Sequence, residues 1–581
     1  MSRDVEPDLF FAAKVVRDAG GSVELPLDGA HAGVPSLRSD ADRPAWIDVR
    51  SDGSLQGQGF RLAITEDGDR PVLIEHATPQ GLRDGLATLR QLIRLHGRRL
   101  ATRTYAWDGA KNTQTRGVML DVSRDRIPTM AELFSIVETL AELGCNHLQL
   151  YTEHTFAYPG HEAVWSGWSP ITPEELRRLD AWCRLHCIDL CANQNCFGHL
   201  SGWLRTPGYE DLAETHDDYD FYGLVRKGPF SLCPTDPRSL DLAREWLDVI
   251  VPLCSGPIVN IGCDETADVG TGRSKDAVRE RGPAGVYYDY VNRVAEHVHR
   301  LGKKPMLWAD IAAAHPDAIT RFPPGSIAAV WGYEPDTPFE EQIDLLREIG
   351  DSRGVEIWTC PGTSSWRSFT GRTAERRANM QASQPIRMID GHLTCDWGDV
   401  GHRQVWPISM RGLADGLSSA SDPLRLPTAR AVSIHALGDP TGEAAGWLDE
   451  LGDADYGLRT RSNLKNATAL FSSLHPARPE HAELGNIADW SNIRDRLTDL
   501  RGRVPATRPF LADELRHAAD CALLAADVAL ARLEGRRLAA DRVHDVIDDH
   551  RRLWRARSRP GGLANSCAHY ERLLEERPFA S

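Results

Sequence analysis

The chain is predicted to fold as an α/β protein: a (β/α)8 TIM barrel with an N-terminal α+β domain and a C-terminal helical region. From about Thr115 onward, short apolar runs alternate with amphipathic helical stretches, as in the βαβ units that build a parallel sheet. Eight such runs are found over about 310 residues, which favours a closed barrel over an open doubly wound sheet. Neither a G-x-G-x-x-G turn nor a Walker lysine follows any of them, so nucleotide binding is disfavoured.

The expected division is residues 1–112 for the N-terminal domain, 113–425 for the barrel and 426–581 for the helical region. In the first, Phe60 to Thr65 and Pro71 to Glu75 read as strands. Leu82, Leu86, Leu89, Leu92 and Ile93 then give the stretch from Gln80 to about His96 one apolar helical face. The barrel runs are Gly117 to Leu120, His147 to Tyr151, Ile188 to Ala192, Ile258 to Ile261, Pro305 to Trp308, Ile327 to Trp331, Val355 to Thr359 and Leu393 to Cys395. Thr129 to Glu132 and Thr172 to Glu175 have capping-box spacing, the second with Pro173 at the first helical position. Beyond about Leu426 strand signals fade, and Ala512 to Leu533 and Ala539 to Trp554 read as helices.

Lysine and arginine total 67 against 83 acidic residues, a formal charge of −16. That balance lacks the basic stripe that phosphate contacts require, so no nucleic-acid partner is expected. No run of about 18 uninterrupted apolar residues occurs, and no membrane association or signal peptide is expected. The 12 cysteines are scattered, which fits reduced, mostly buried thiols and a cytoplasmic address. Cys183, Cys187, Cys191 and Cys196 form one cluster to test as a structural zinc site, although no C-x2-C pair occurs.

Barrel active sites lie at the C-terminal ends of the strands. The residues there include Asp121, Ser123 and Arg124; Glu153 and His154; Asn193, Asn195 and His199; Asp264 and Glu265; Asp310; Tyr333 and Glu334; Trp366; and Trp397, Asp399 and His402. Tyr151, Trp308, Trp331, Tyr333, Trp366 and Trp397 are either barrel core or the apolar wall against which a sugar ring stacks. In Val259-Asn260-Ile261-Gly262-Cys263-Asp264-Glu265 an apolar strand ends in adjacent carboxylates. Neighbouring side chains on a strand face opposite ways, so this pair shares a site only where the backbone turns. Two such carboxylates in unequal settings can divide acid and anion roles; metal binding and structural pairing are the alternatives.

Thr115-Arg116-Gly117-Val118-Met119-Leu120-Asp121-Val122-Ser123-Arg124, with Asp264-Glu265, Trp308, Trp331 and Trp397-Gly398-Asp399, resembles glycoside hydrolase family 20, the β-N-acetylhexosaminidases. The intracellular hexosaminidase D-like branch is the most similar. The resemblance covers roughly residues 50 to 430, and Arg559-Pro560-Gly561-Gly562-Leu563 is similar to the helical tail of some bacterial members.

That resemblance implies a retaining exo-β-N-acetylhexosaminidase that releases terminal GlcNAc or GalNAc, with the substrate's own acetamido group as nucleophile. Glu265 would protonate the leaving oxygen and then deprotonate water, which asks for a carboxyl able to hold a proton near neutral pH. Asp264 would orient the acetamido group and stabilise the cationic intermediate. Arg116 would bind ring hydroxyls, Trp308, Trp331 and Trp397 would enclose the sugar, Asp399 would meet an outer hydroxyl, and His199 with Glu153 would support the acids; the strand-end aromatics Tyr333 and Trp366 are further candidates for substrate binding. No tyrosine follows the seventh strand, and Tyr333 is the candidate to replace it.

The expected partner is a small glycan or glycoside, with no cofactor and no metal. A homodimer is compatible with a tail that closes the pocket through Trp554, Arg557 and Arg559. The rival readings are a metal-dependent barrel hydrolase using Glu153, His199, Asp264, Asp310 and His402, and a catalytically silent sugar-binding protein.

Overall fold

The structure, a computed structural model, describes residues 8–10, 13–27, 44–66, 68–108, 115–384, 389–422, 425–459, 467–474 and 485–575. The expected boundary at residues 112 and 113 lies outside them. Five strands come first: Lys14–Glu24 (β1), Ile47–Ser51 (β2), Phe60–Ile64 (β3), Val72–His76 (β4) and Arg99–Trp107 (β5), in the spatial order β1-β5-β3-β4-β2. The helix Pro79–His96 lays its leucine face on this sheet, and Leu86, Leu89 and Leu92 are buried there with Phe60, Leu62 and Ile74.

Eight parallel strands then close a barrel: Thr115–Asp121 (β6), His147–Tyr151 (β7), Asp189–Asn193 (β8), Ile258–Asn260 (β11), Lys304–Trp308 (β12), Ile327–Trp331 (β13), Glu356–Cys360 (β14) and Gly391–Asp396 (β15). A hairpin, Asp218–Phe221 (β9) and Leu224–Lys227 (β10), is inserted after the third barrel strand. The interior is filled by tryptophans because their neighbours are small. Trp308, Trp358 and Trp397 pack among Cys191, Ala329, Cys360 and Cys395, and a Cβ on Gly391 would lie 2.2 Å from the Trp358 ring. A substituent there has no room in a close-packed interior.

The helix Pro79–His96 also seats the small sheet on the barrel floor. Arg83 donates to the carbonyls of Cys145, His186 and Cys187, and Arg90 and Arg94 both reach Glu142 at 2.7 Å. Arg116 belongs to this floor. It is 1% exposed, donates to the Gly144 carbonyl at 2.8 Å, lies 3.3 Å from Asp84 and stacks on Trp107. The expectation that it binds substrate is therefore corrected: Arg116 begins its strand, and the start of a barrel strand is at the end opposite the mouth.

The regular elements described after Trp406–Ser421 are all helices, the longest being Pro509–Glu534 and Asp541–Arg557. Its end is fastened to the starts of two barrel helices. At Thr172 the full capping box forms, and Arg559 adds a bond to Glu175 at 3.0 Å. At Thr129 only half of it forms: Thr129 accepts from the Glu132 N–H, but the Glu132 carboxylate turns to Arg557 at 2.6 Å. Trp554 is buried beneath the Arg126 guanidinium. These residues dock the tail and do not reach the pocket, which corrects their expected closing role. No helix among the described residues is long and apolar enough to cross a membrane.

A second ionic cluster joins the barrel to the tail. Arg376 and Arg411, both under 3% exposed, share the fully buried Asp415 and the Asp449 carboxylate. Removing one partner of such a buried cluster strands the rest without water. Asp415→Asn is expected to lower stability by about 3 kcal/mol or more in urea unfolding, whereas Asp48→Asn, at the exposed Arg50 pair, leaves the midpoint unchanged.

Candidate active site

The strand β11 ends in a backbone that few residues adopt. Gly262, Cys263 and Glu265 have φ of 67°, 68° and 52°, in the left-handed region that is costly for a residue with a Cβ. This turn brings the adjacent Asp264 and Glu265 side chains to one place. Gly262 is required twice over, because a Cβ there would also lie 2.5 Å from the Asn195 side chain. The Glu265 N–H donates to Asp310 Oδ2 at 3.0 Å and pins the turn to the end of β12.

His199 joins the two acids. Its Nε2 lies 3.2 Å from Asp264 Oδ2 and 3.4 Å from Glu265 Oε2. Burial alone would lower the imidazole, but the Asp264 charge and the two carboxylate contacts outweigh it and push it up to about 10. Burial likewise tends to raise the Asp264 carboxyl, yet His199 holds it below its ordinary value, and Asn195 donates to Oδ1 at 2.9 Å. Asp264 thus remains an anion across the neutral range, at 7% exposure, while the Glu265 side chain is more open to the cavity at 26%.

Arg124, from the turn after β6, is the second cation. It lies 3.2 Å from Glu153 and 3.3 Å from Asp121, with its guanidinium over the Tyr151 and Trp397 rings. Glu153 accepts from the Tyr151 hydroxyl at 2.9 Å, and burial raises its carboxyl despite Arg124. Glu153 and His199 are therefore not a direct pair: Arg124 bonds Glu153 and stands beside His199, where its charge opposes the imidazole's proton.

The pair opens into a cavity of about 730 Å³ whose wall contains Trp308, Trp331, Tyr333, Trp366, Trp397 and Asp399. Of the residues read from sequence, these line one space with Asp264, Glu265 and His199; Glu153 lies behind Arg124, and Arg116 is absent from it. Tyr333 stacks on Trp331 with centroids 5.3 Å apart, meets Trp366 edge-on at 5.0 Å, and its hydroxyl accepts from Trp397 Nε1 at 2.8 Å. Asp399 pairs with Arg367 at 3.2 Å. Sequence reasoning left Arg367 and the β9–β10 residues out of the site. It named Arg124 only as a strand-end residue, although its place directly after β6 is the signal that separates it from Arg116.

The donor atoms of His199, Asp264 and Glu265 lie within 4.8 Å of one another. A metal there would take the imidazole nitrogen that faces both acids, in place of the proton shared with them. Of the further ligands expected for a metal centre, Glu153 is taken by Tyr151 and Arg124, Asp310 by the Glu265 amide and Trp331, and His402 is buried beside Arg124 and Arg126 with its imidazole lowered. The cysteine cluster does not form a zinc site. Among the described residues these four cysteines do not bring their thiols together as a ligand group; Cys196 donates to the Gln194 carbonyl and Cys191 meets His147. The Gly270 to Lys275 loop wraps the Glu214 carboxylate with the N–H groups of Gly270, Gly272 and Ser274 and does not line the cavity.

Asp310 is buried, and its desolvation, followed by the charges of Asp264 and Glu265, pushes its carboxyl up to about 7. Infrared titration between pH 5.5 and 8.5 is expected to show a protonated-carboxyl band lost with a midpoint near 7. Asp310→Asn should lack it; identical difference spectra for parent and variant would refute the assignment.

No family model matches the chain, and no curated protein sequence matches it. Solved structures do. A family 20 β-N-acetylhexosaminidase from Streptomyces coelicolor A3(2) is 16% identical, with a TM-score of 0.56, covering 76% of this chain and 96% of its own. A β-N-acetylhexosaminidase from Bacteroides fragilis is 15% identical, with a TM-score of 0.52 and coverage of 72% and 90%. A family 20 exo-β-N-acetylglucosaminidase from Vibrio harveyi, solved with N-acetylglucosamine, is 14% identical, with a TM-score of 0.55 and coverage of 78% and 79%. The chain has the fold of these enzymes: a closed (β/α)8 barrel preceded by a small α+β unit.

Proposed function

We propose that the protein is a retaining exo-β-N-acetylhexosaminidase of glycoside hydrolase family 20, acting on terminal β-linked GlcNAc or GalNAc of a small glycan or glycoside. The observation that carries this reading is the pair of unequal carboxylates, Asp264 held anionic and Glu265 more open, joined by His199 at the foot of an aromatic cavity. The resemblance in sequence and the shared fold point the same way. The cysteines, unpaired and buried except for Cys187, suit a reducing compartment, so we place the enzyme in the cytoplasm.

In this mechanism the acetamido carbonyl oxygen of the substrate attacks the anomeric carbon as the glycosidic bond breaks, and the Glu265 proton passes to the leaving oxygen. Asp264 accepts the acetamido N–H and stabilises the positive charge that develops on the new five-membered ring. Water then attacks the anomeric carbon, gives its proton to Glu265, and the ring opens to restore the acetamido group with net retention. Trp308, Trp331, Trp366 and Trp397 enclose the sugar, and the Tyr333 hydroxyl is free to donate to the acetamido oxygen because it accepts from Trp397. Arg124 takes the place expected of Arg116 as the guanidinium within reach of ring hydroxyls, and Asp399 binds an outer hydroxyl.

Release of p-nitrophenol from the β-GlcNAc, β-GalNAc and β-glucose derivatives, with and without EDTA, tests the class: turnover confined to N-acetyl sugars and indifferent to chelator is expected. Glu265→Gln should lower kcat for an unactivated N-acetyl substrate by about 100-fold or more, and less than tenfold would refute its role. Asp264→Asn should lose about 100-fold with the same substrate, and an unchanged rate would rule out the neighbouring-group mechanism.

A further inference from the structure

The large apolar side chains that stay exposed among the described residues are scattered singly except at one place. Tyr222, Leu224 and Val225, at 62%, 55% and 80% exposure, sit together at the tip of the β9–β10 hairpin. The tip is held in shape. Tyr222 and Gly223 have φ of 51° and 86°, the pattern of a two-residue turn that matches strand twist, and the Gly223 N–H donates to Asp220 at 3.1 Å. An apolar cluster fixed in position and left in water calls for an occupant.

Its place in the barrel says which. Arg226 covers the Phe221 and Phe230 rings, Phe230 packs on His199 at 4.7 Å, and His199 reaches Glu265. His199 reaches Asp264 as well, but the Tyr222 hydroxyl at the tip feels the charges of Asp310 and Glu265 before that of Asp264, so the hairpin stands on the side of the acid. Asp399 and Arg367 follow β15 and β14, across the ring from β8, after which the hairpin is inserted. A general acid must lie within hydrogen-bond reach of the leaving oxygen, so what flanks Glu265 flanks the leaving group. Leu224 and Val225 line the cavity there, and the nearby Arg226 is engaged by its two rings.

We infer that the β9–β10 tip is the leaving-group wall of this site and that it selects glycosides with an apolar aglycone, an alkyl chain or an aromatic ring, over those in which the leaving group is another sugar. The inference rests on the proposed function and adds the substrate class to it. An alkyl leaving group laid on Leu224 and Val225 gains roughly fourfold per methylene removed from water.

The test compares kcat/KM for the methyl, hexyl and cyclohexylmethyl β-glycosides of GlcNAc and for the β-linked GlcNAc disaccharide, since the three alkoxide leaving groups differ little in intrinsic reactivity. The parent is expected to favour hexyl over methyl by about 15-fold or more, as two or more buried methylenes give, and to favour hexyl over the disaccharide. In Leu224→Ser/Val225→Ser the hexyl-to-methyl ratio should fall below about threefold, and in Leu224→Met/Val225→Ile it should persist, with unchanged circular dichroism in both. A cyclohexylmethyl preference above the hexyl one would assign the wall to rings, the reverse to chains. A parent ratio near one, a parent preference for the disaccharide, or a ratio that survives the serine variant overturns the inference while leaving the catalytic reading in place. A flat ratio with a serine-dependent change of mass on sedimentation also overturns it and gives the patch to a second copy of the chain. No hydrolysis of any glycoside overturns both.

Discussion

The carboxylates of Asp121, Glu153, Asp264, Glu265 and Asp310 converge on one end of the barrel, and like charges in a partly desolvated space resist being brought together. Two cations make the arrangement tenable. His199 stands between Asp264 and Glu265, and Arg124 between Asp121 and Glu153. The proton on His199 is a product of that crowding, since burial by itself would remove it. Asp310 is left without a cation of its own and responds by taking up a proton near neutrality. The left-handed turn after β11 is the backbone counterpart: its strain is sustained because His199, Asn195 and Asp310 each hold one of its groups.

The same economy of space shapes the interior. Cysteine, alanine and glycine on the barrel strands leave volume for Trp308, Trp358 and Trp397, so the lower core and the walls of the cavity form one continuous aromatic body. Of the cysteines whose spacing first suggested a metal site, Cys191 serves this interior, while Cys183 and Cys196 pack in the larger core cluster.

Much of this was legible in the sequence. The apolar runs of the barrel recur as strands within a residue or two, because fully buried parallel strands read as short uninterrupted apolar stretches bounded by turns. The acid pair was legible too, since adjacent carboxylates after an apolar run force a backbone turn. Arg116 was misplaced because a resemblance in type said nothing of height: the strand rises about 3.3 Å per residue, so Arg116 lies about 16 Å below Asp121. The Thr129 box is half made because Glu132 is claimed by an arginine 425 residues away, and no local pattern encodes such a competitor. The β9–β10 hairpin escaped notice for a similar reason: its four-residue strands are mostly exposed, and only the position of Glu265 gives them meaning.

The docking of the tail bears on the order in which the molecule is completed. Glu132 and Glu175 help open the first two helices that follow barrel strands, yet their arginine partners are residues 557 and 559. A chain emerging from the ribosome amino end first exposes these helix starts long before the segment that fastens them exists. The barrel's earliest units therefore stay unsecured until residues 557 and 559 have been made, and that segment acts as a clasp. A chain that stopped between the cavity residue Val400 and Arg557 would carry the whole catalytic constellation on a barrel that had never been fastened.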